Sequence, residues 1–200
     1  AMLTFLISSI PTAYLSFHLQ VEPGAGNSKW AHIAMGLQET ESAPGWYNTY
    51  NEATFVENNY DTDATAVASL ENIGESLQHF AKDPKYAWSF FNRKWAILWN
   101  NPTFECFTLQ SNKVSNVELS PLVKSTIYDG GKINILLIAF FDVCQSIFLF
   151  GILLYLLTEK KADFGELLPF LLLIGAFVFW TFWETKCRYV LPYFLFVMPY

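Results

Sequence analysis

INILLIAFFDVCQSIFLFGILLYLL (residues 133–157) and FGELLPFLLLIGAFVFWTFW (residues 164–183) decide the fold. A helix rises about 1.5 Å per residue, so the first run is long enough to cross a hydrocarbon core of about 30 Å, and the second has the roughly 20 residues a span needs. Each carries a single formal charge, Asp142 and Glu166. In lipid every backbone polar group must be satisfied internally, which predicts two transmembrane helices. The polar hairpin between them, residues 158–166, holds Lys160 and Lys161. Short Lys-bearing loops stay in the cytoplasm, so the first helix is expected to run inward and the second outward. Residues 184–191 then form a loop at the outer face, and residues 192–200 begin a further span.

The rest of the chain fits that frame. Of 200 residues, 52% are hydrophobic and 18% aromatic, high values for a soluble domain that arise mostly from the two ends. Residues 1–21 are apolar enough for another span despite Pro11, and no basic n-region marks them as a cleaved leader. Residues 22–132 hold 13 acidic residues against 8 Lys plus Arg and open with the turn signal Glu22-Pro23-Gly24-Ala25-Gly26. They are expected to form an extracytosolic domain. The fold class is therefore mainly α: polytopic transmembrane helices with an α-rich extracytosolic domain inserted between spans, in a multi-pass protein of the plasma membrane. Both ends lie inside apolar runs, which points to a piece of a larger polytopic protein. A net charge of −6 with no basic face excludes nucleic acid as a partner.

Within the middle domain, Val67, Leu70, Ile73, Leu77 and Phe80 recur at helical steps over residues 64–82, with Asp61 or Asp63 as N-cap. Asp61-Thr62-Asp63 also has the two-carboxylate spacing of a metal-binding motif; with no strand-helix alternation around it, capping explains it better. Asp83-Pro84 starts a second helix over residues 84–99, whose stripe of Trp88, Phe91, Trp95 and Leu98 turns Arg93 and Lys94 elsewhere. Such a stripe suits either a membrane surface or packing against neighbouring helices. Asn100-Asn101-Pro102 breaks it, residues 103–109 read as irregular or briefly extended, and residues 110–131 as a polar lead-in to the span. Cys106 and Cys187 fall on one side of the membrane in this topology, which permits one bridge.

Three sets of residues are candidates for function. At the outer rim, Glu184, Lys186, Arg188 and Tyr189 offer either snorkelling cations or a guanidinium fork for a lipid phosphate. Trp46, Tyr47 and Asn48 place flat rings beside an amide, as a sugar requires, or belong to the core of a loop-rich domain. Asn134, Asp142 and Gln145 fall within about 80° on a helical wheel and should face protein or a water-filled cavity. Their role is then either functional or one of holding helices together. His18 is read as an interfacial imidazole.

The motif Glu184-x-Lys186-x-Arg188-Tyr189-x-x-Pro192 resembles the C-terminal half of bacterial polytopic glycosyltransferases similar to the family 39 dolichyl-phosphate-mannose protein mannosyltransferase group, in the membrane-embedded GT-C class. Residues 30–37, Gly45-Trp46-Tyr47-Asn48 and residues 94–104 also resemble extracytosolic segments of Firmicutes-type members. The resemblance covers most of the chain. It implies sugar transfer from a polyprenyl-phosphate donor to an extracytosolic acceptor, whether protein, lipid or glycan, with Glu184, Lys186, Arg188 and Tyr189 at the donor and Trp46, Tyr47 and Asn48 at sugar or acceptor. It also implies a key acidic residue in a first extracytosolic loop that this chain lacks, and room for a divalent metal in the longer protein. No catalytic base is assigned to this chain. Two other classes fit the residues: a transporter or flippase for lipid-linked sugars or polymer, centred on Asp142, and a non-catalytic membrane protein with an extracytosolic interaction domain.

Overall fold

The computed structural model describes residue 14 and residues 16–18, 26–114, 117–158 and 163–198, with the backbone alone at residue 112. Most of the expected span at residues 1–21, the Glu22 to Ala25 turn residues and the hairpin lysines Lys160 and Lys161 lie outside the described residues. The described part is mainly helical. We label its helices α1 (Lys29–Gly36), α2 (Tyr50–Glu57), α3 (Thr62–Lys82), α4 (Pro84–Trp99), α5 (Cys106–Lys113), α6 (Pro121–Ile127), α7 (Lys132–Thr158), α8 (Phe164–Phe182) and α9 (Leu191–Val197), with a 3-10 turn at Cys187–Tyr189. Helices α5 and α6 replace the irregular chain expected between residues 103 and 131.

Local chemistry sets these boundaries. Asp61, not Asp63, caps α3, its carboxylate accepting from the Asp63 and Ala64 amides at 2.8 and 2.9 Å. Asp83 closes α3 and opens α4: its amide donates to His79 while its side chain accepts from Tyr86 N, with Pro84 at the first position. At the start of α8, Asp163 and Glu166 form a reciprocal capping box.

Helices α7 and α8 are long and apolar enough to cross a membrane, and little of either is covered within the fold. They run as an antiparallel hairpin: near their connection, Tyr155 stacks on Phe170 with centroids 5.7 Å apart. Helix α9 returns alongside α8, so Val197 closes a cluster with Ile152 and Phe170.

The remaining domain sits over the far end of this hairpin. Helix α1 packs on α3, whose buried positions are Thr65, Ser69 and Phe80, while Val67, Leu70 and Leu77 of the expected stripe are about half exposed. The hydroxyls can face a neighbour because they are satisfied inside α3: Thr65 donates to the Asp61 carbonyl and Ser69 to the Thr65 carbonyl. The domain's core is Leu37, Phe80 and Phe90.

Helix α4 joins the domain to the long helices. Trp95 Nε1 donates to Thr181 Oγ1 at 2.9 Å, and the Trp95 and Trp99 rings lie 5.4 and 5.8 Å from that of Phe177. Its expected aromatic stripe therefore packs on α8 from Phe91 onward and leaves Trp88 exposed. Helix α1 meets α8 end to end at Gly36, where an added Cβ would lie 2.6 Å from the Trp183 carbonyl carbon and closer still to the Phe182 carbonyl oxygen. No side chain fits without moving backbone. Gly36→Ala is accordingly expected to lower stability by about 1–3 kcal/mol, read as a fall in the thermal unfolding temperature of the purified protein; an unchanged midpoint would contradict the close approach.

Candidate functional site

Lys94 lies off the aromatic stripe of α4, yet its side chain is not turned to solvent as the wheel suggests: it is fully buried. Its Nζ donates to the carbonyls of Gly36, at the end of α1, and of Trp183, at the end of α8, the latter at 2.7 Å. Helix C-termini carry partial negative charge, so both acceptors suit an amine. Burial pushes the Lys94 pKa down from 10.5 to about 7. A neutral amine keeps two N–H donors, one for each carbonyl.

Beside this amine the chain turns through Pro44 and Gly45. Gly45 has φ +69, and a Cβ there would sit 2.8 Å from Lys94 Nζ and 2.9 Å from Thr185 Oγ1. Both the backbone angle and the space require glycine. The turn is then bonded to the segment leaving α8: Thr185 N donates to Gly45 O at 2.7 Å and Thr185 Oγ1 to Pro44 O at 2.7 Å. Trp46 and Thr185 form a parallel bridge.

This bridge brings together two of the sets singled out in the sequence, Trp46 to Asn48 and Glu184 to Tyr189. Lys186 Nζ stands over the Tyr47 ring, 4.8 Å from its centroid. Tyr47 Oη donates to Glu52 at 2.6 Å, and that bond, ahead of burial, raises its pKa. Trp46 is half-buried, while exposed Asn48 donates to Gln38, which in turn donates to Asn72. Glu184 is buried and accepts from Tyr189 Oη at 2.8 Å; burial first, then this bond, raises the Tyr189 pKa. The Tyr189 ring stacks on Trp180 at 4.9 Å. By contrast the 30–37 stretch is mostly core: Ala31, Ala34, Met35 and Leu37 are buried.

Arg188 brings in a residue that the sequence did not single out. Glu105 is buried, has φ 65 and directs its carboxylate at the 187–188 backbone and side chains: Oε1 accepts from Cys187 N at 3.2 Å, and Oε2 is 3.7 Å from Arg188 Nη1. The guanidinium also lies over the Tyr189 ring, 5.4 Å from its centroid, and with 36% of the Arg188 side chain exposed part of the fork faces solvent. A strained, buried acid beside a half-buried cation is the kind of outlier that marks functional sites. Burial, then Glu105, pushes the Cys187 thiol well up, so it stays protonated and inert. Cys106 and Cys187 are both free, Cys106 exposed and Cys187 buried, so the permitted bridge is absent.

Asn134, Asp142 and Gln145 divide. Asn134 is buried and donates to Thr126 O; Gln145 donates to Trp99 O at 2.7 Å. These two tie α7 to α6 and α4. Asp142 is exposed, on the wall of a cleft of about 450 Å³ shared with Asn100, Asn101, Thr103 and Asp129. No group of three or more potential metal ligands occurs among the described residues. No protein-family model, curated protein or solved structure matches the chain.

The Lys94 junction has a pH signature. Between pH 7 and 10.5 the unfolded lysine holds a proton that the folded one has released, so its contribution to stability rises with pH across that window and is flat below it. Cys187, whose thiol stays protonated in the fold, acts in the opposite sense above about pH 9, and Tyr189 and Tyr47 do so above about pH 10, so the net rise is confined to pH 7 to 9. Lys94→Met leaves two buried carbonyls unsatisfied, at about 1–3 kcal/mol each. We expect the variant to be less stable at pH 9 and to lose the rise between pH 7 and 9 in thermal unfolding. A wild-type curve that is flat over this range would contradict the buried amine.

Proposed function

We propose that the chain is the C-terminal part of a multi-pass plasma-membrane glycosyltransferase of the GT-C type, which moves a sugar from a polyprenyl-phosphate donor to an extracytosolic acceptor. The observation that carries this reading is the bridge between Trp46 and Thr185, which sets the Trp46-Tyr47-Asn48 turn against Glu184, Lys186, Arg188 and Tyr189 at the end of a membrane-length helix. Two stretches that separately resemble the family thus make one surface. It has flat rings, an exposed amide and two cations.

In this reading Arg188, steadied by Glu105, and Lys186, seated on Tyr47, hold the donor phosphate. The acceptor hydroxyl oxygen bonds to the anomeric carbon as the bond from that carbon to the phosphate oxygen breaks. The lipid phosphate leaves with the electron pair, and cations beside it stabilise the charge it gains. The hydroxyl proton passes to a carboxylate supplied by the longer protein, where a divalent metal would also belong. Tyr47 and Asn48 line the sugar side. The transporter reading draws on one observation, the exposure of Asp142, and predicts substrate movement without glycosidic bond formation.

Arg188→Ala in the full-length protein is expected to cut sugar transfer about 10- to 100-fold, the worth of one charge-assisted contact, with normal membrane insertion. Arg188→Lys should recover part of the loss, since it keeps the charge but not the fork. Full activity of Arg188→Ala would contradict the phosphate role.

A further inference from the structure

Asn100 lines two spaces of opposite character. On one side is the polar cleft of about 450 Å³, with Asp129, Asp142, Asn101 and Thr103 on its walls. On the other is an apolar groove of about 320 Å³ between α7, α8 and α9, whose walls include Leu149, Ile152, Ile174 and Val197. The two are stacked along α7. Asp142 and Leu149 are seven residues apart, hence on one helix face and separated by about 10 Å. The polar space is the nearer to the Lys132 end, where the extramembrane domain sits.

An amphiphile standing in a bilayer has this order of parts, and the chemistry of the walls narrows which amphiphile. Neither Asp129 nor Asp142 has an ion-pair partner among the described residues. Two unpaired carboxylates repel a phosphate head, whereas hydroxyl groups can donate to them. The carboxamide of Asn101 already accepts from Thr103 N and Oγ1, which leaves its N–H groups to donate outward. Phe107 adds a flat apolar wall, as the C–H face of a sugar ring requires. Trp99 and Asn100 both line the apolar groove, so the end of α4 is shared between the two spaces. An exposed carboxylate within a membrane-length helix otherwise costs several kcal/mol.

We propose that the two spaces form one seat for an uncharged, hydroxyl-bearing lipid of the glycolipid type, its head between Asp142 and the Asn100–Thr103 turn and its hydrocarbon chain in the groove below. Resting on the transferase reading above, this lipid is the acceptor, and it approaches from a different place than the anionic donor held at Arg188.

The test is equilibrium binding to the full-length protein in nanodiscs, with a neutral monoglycosyl-diacylglycerol, phosphatidylglycerol and a cationic trimethylammonium lipid as probes. The neutral glycolipid should bind at least about tenfold more tightly than phosphatidylglycerol. Leu149→Trp, at a position already exposed and so able to take bulk without repacking the core, should fill the groove and weaken glycolipid binding about tenfold. Asp142→Lys should reverse the preference toward phosphatidylglycerol. Equal binding of the two lipids, a preference for the cationic lipid, or unaltered binding in Leu149→Trp would each overturn the seat. Loss of the lipid preference with Arg188-dependent transfer intact would sink this inference and leave the transferase standing; a preserved preference without any transfer would do the reverse.

Discussion

A single buried amine holds the architecture together. Lys94 Nζ reaches the carbonyls at the ends of α1 and α8, which approach so closely that Gly36 cannot carry a side chain, and the Gly45 turn passes so near the amine that it cannot carry one either. Burying an amine is costly unless it is hydrogen-bonded, and each carbonyl at a helix end is equally costly if left alone. Amine and carbonyls therefore require one another. Met in place of Lys94 would fill the same space and satisfy neither carbonyl. The hydrophobic cluster around Phe90 stabilises the domain, and the one around Val190 packs Leu98 of α4 on the segment that follows α8; the polar contact adds direction to that join.

That placement converts distant residues into a surface. Gly45 passes close to the amine, its carbonyl takes the Thr185 amide, and the chain on either side of this contact presents Tyr47 and Lys186 to one another. Glu105 secures the next turn through Cys187 and Arg188. Each step trades freedom of a loop for a hydrogen bond to backbone, which is how irregular chain attains the rigidity a binding site needs. Cations are thus positioned at the end of a helix long enough to cross a membrane, beside aromatic rings and amides. On the proposed reading, the anionic donor and the hydroxylated acceptor are distinguished by charge: Arg188 attracts the first and Asp142 repels it.

Much of the helical layout was legible because it rests on local chemistry. Asp83-Pro84 and Asn100-Asn101 bound α4 where the sequence places its ends, and the two apolar runs become α7 and α8. The rim residues and the Trp46 turn were also recognisable, from aromatic and charged side chains in places where chain turns. What was not legible depends on contacts between elements. The wheel of α4 sets Lys94 apart from its aromatic stripe, yet two carbonyl ends from elsewhere meet it there. The apolar stripe of α3 is half exposed because Thr65 and Ser69, satisfied by their own helix, are the positions buried where α3 packs on α1. Helices α5 and α6 lack an apolar periodicity, and α5 follows a residue with positive φ, Glu105, so neither announces itself. Glu105 resembles any other surface acid until Cys187 and Arg188 are brought to it.

Hydrogen exchange of the full-length protein in a lipid bilayer tests the central contact most directly. The amides of Gly45 and Thr185, bonded to Gln38 O and Gly45 O beside the buried amine, should be among the slowest outside the long helices. Both should accelerate together in Lys94→Met while the amides of mid-α7 stay protected. Rapid exchange of these two amides in the wild-type protein, or indifference to the loss of Lys94, would show that the domain and the long helices are not joined in this way.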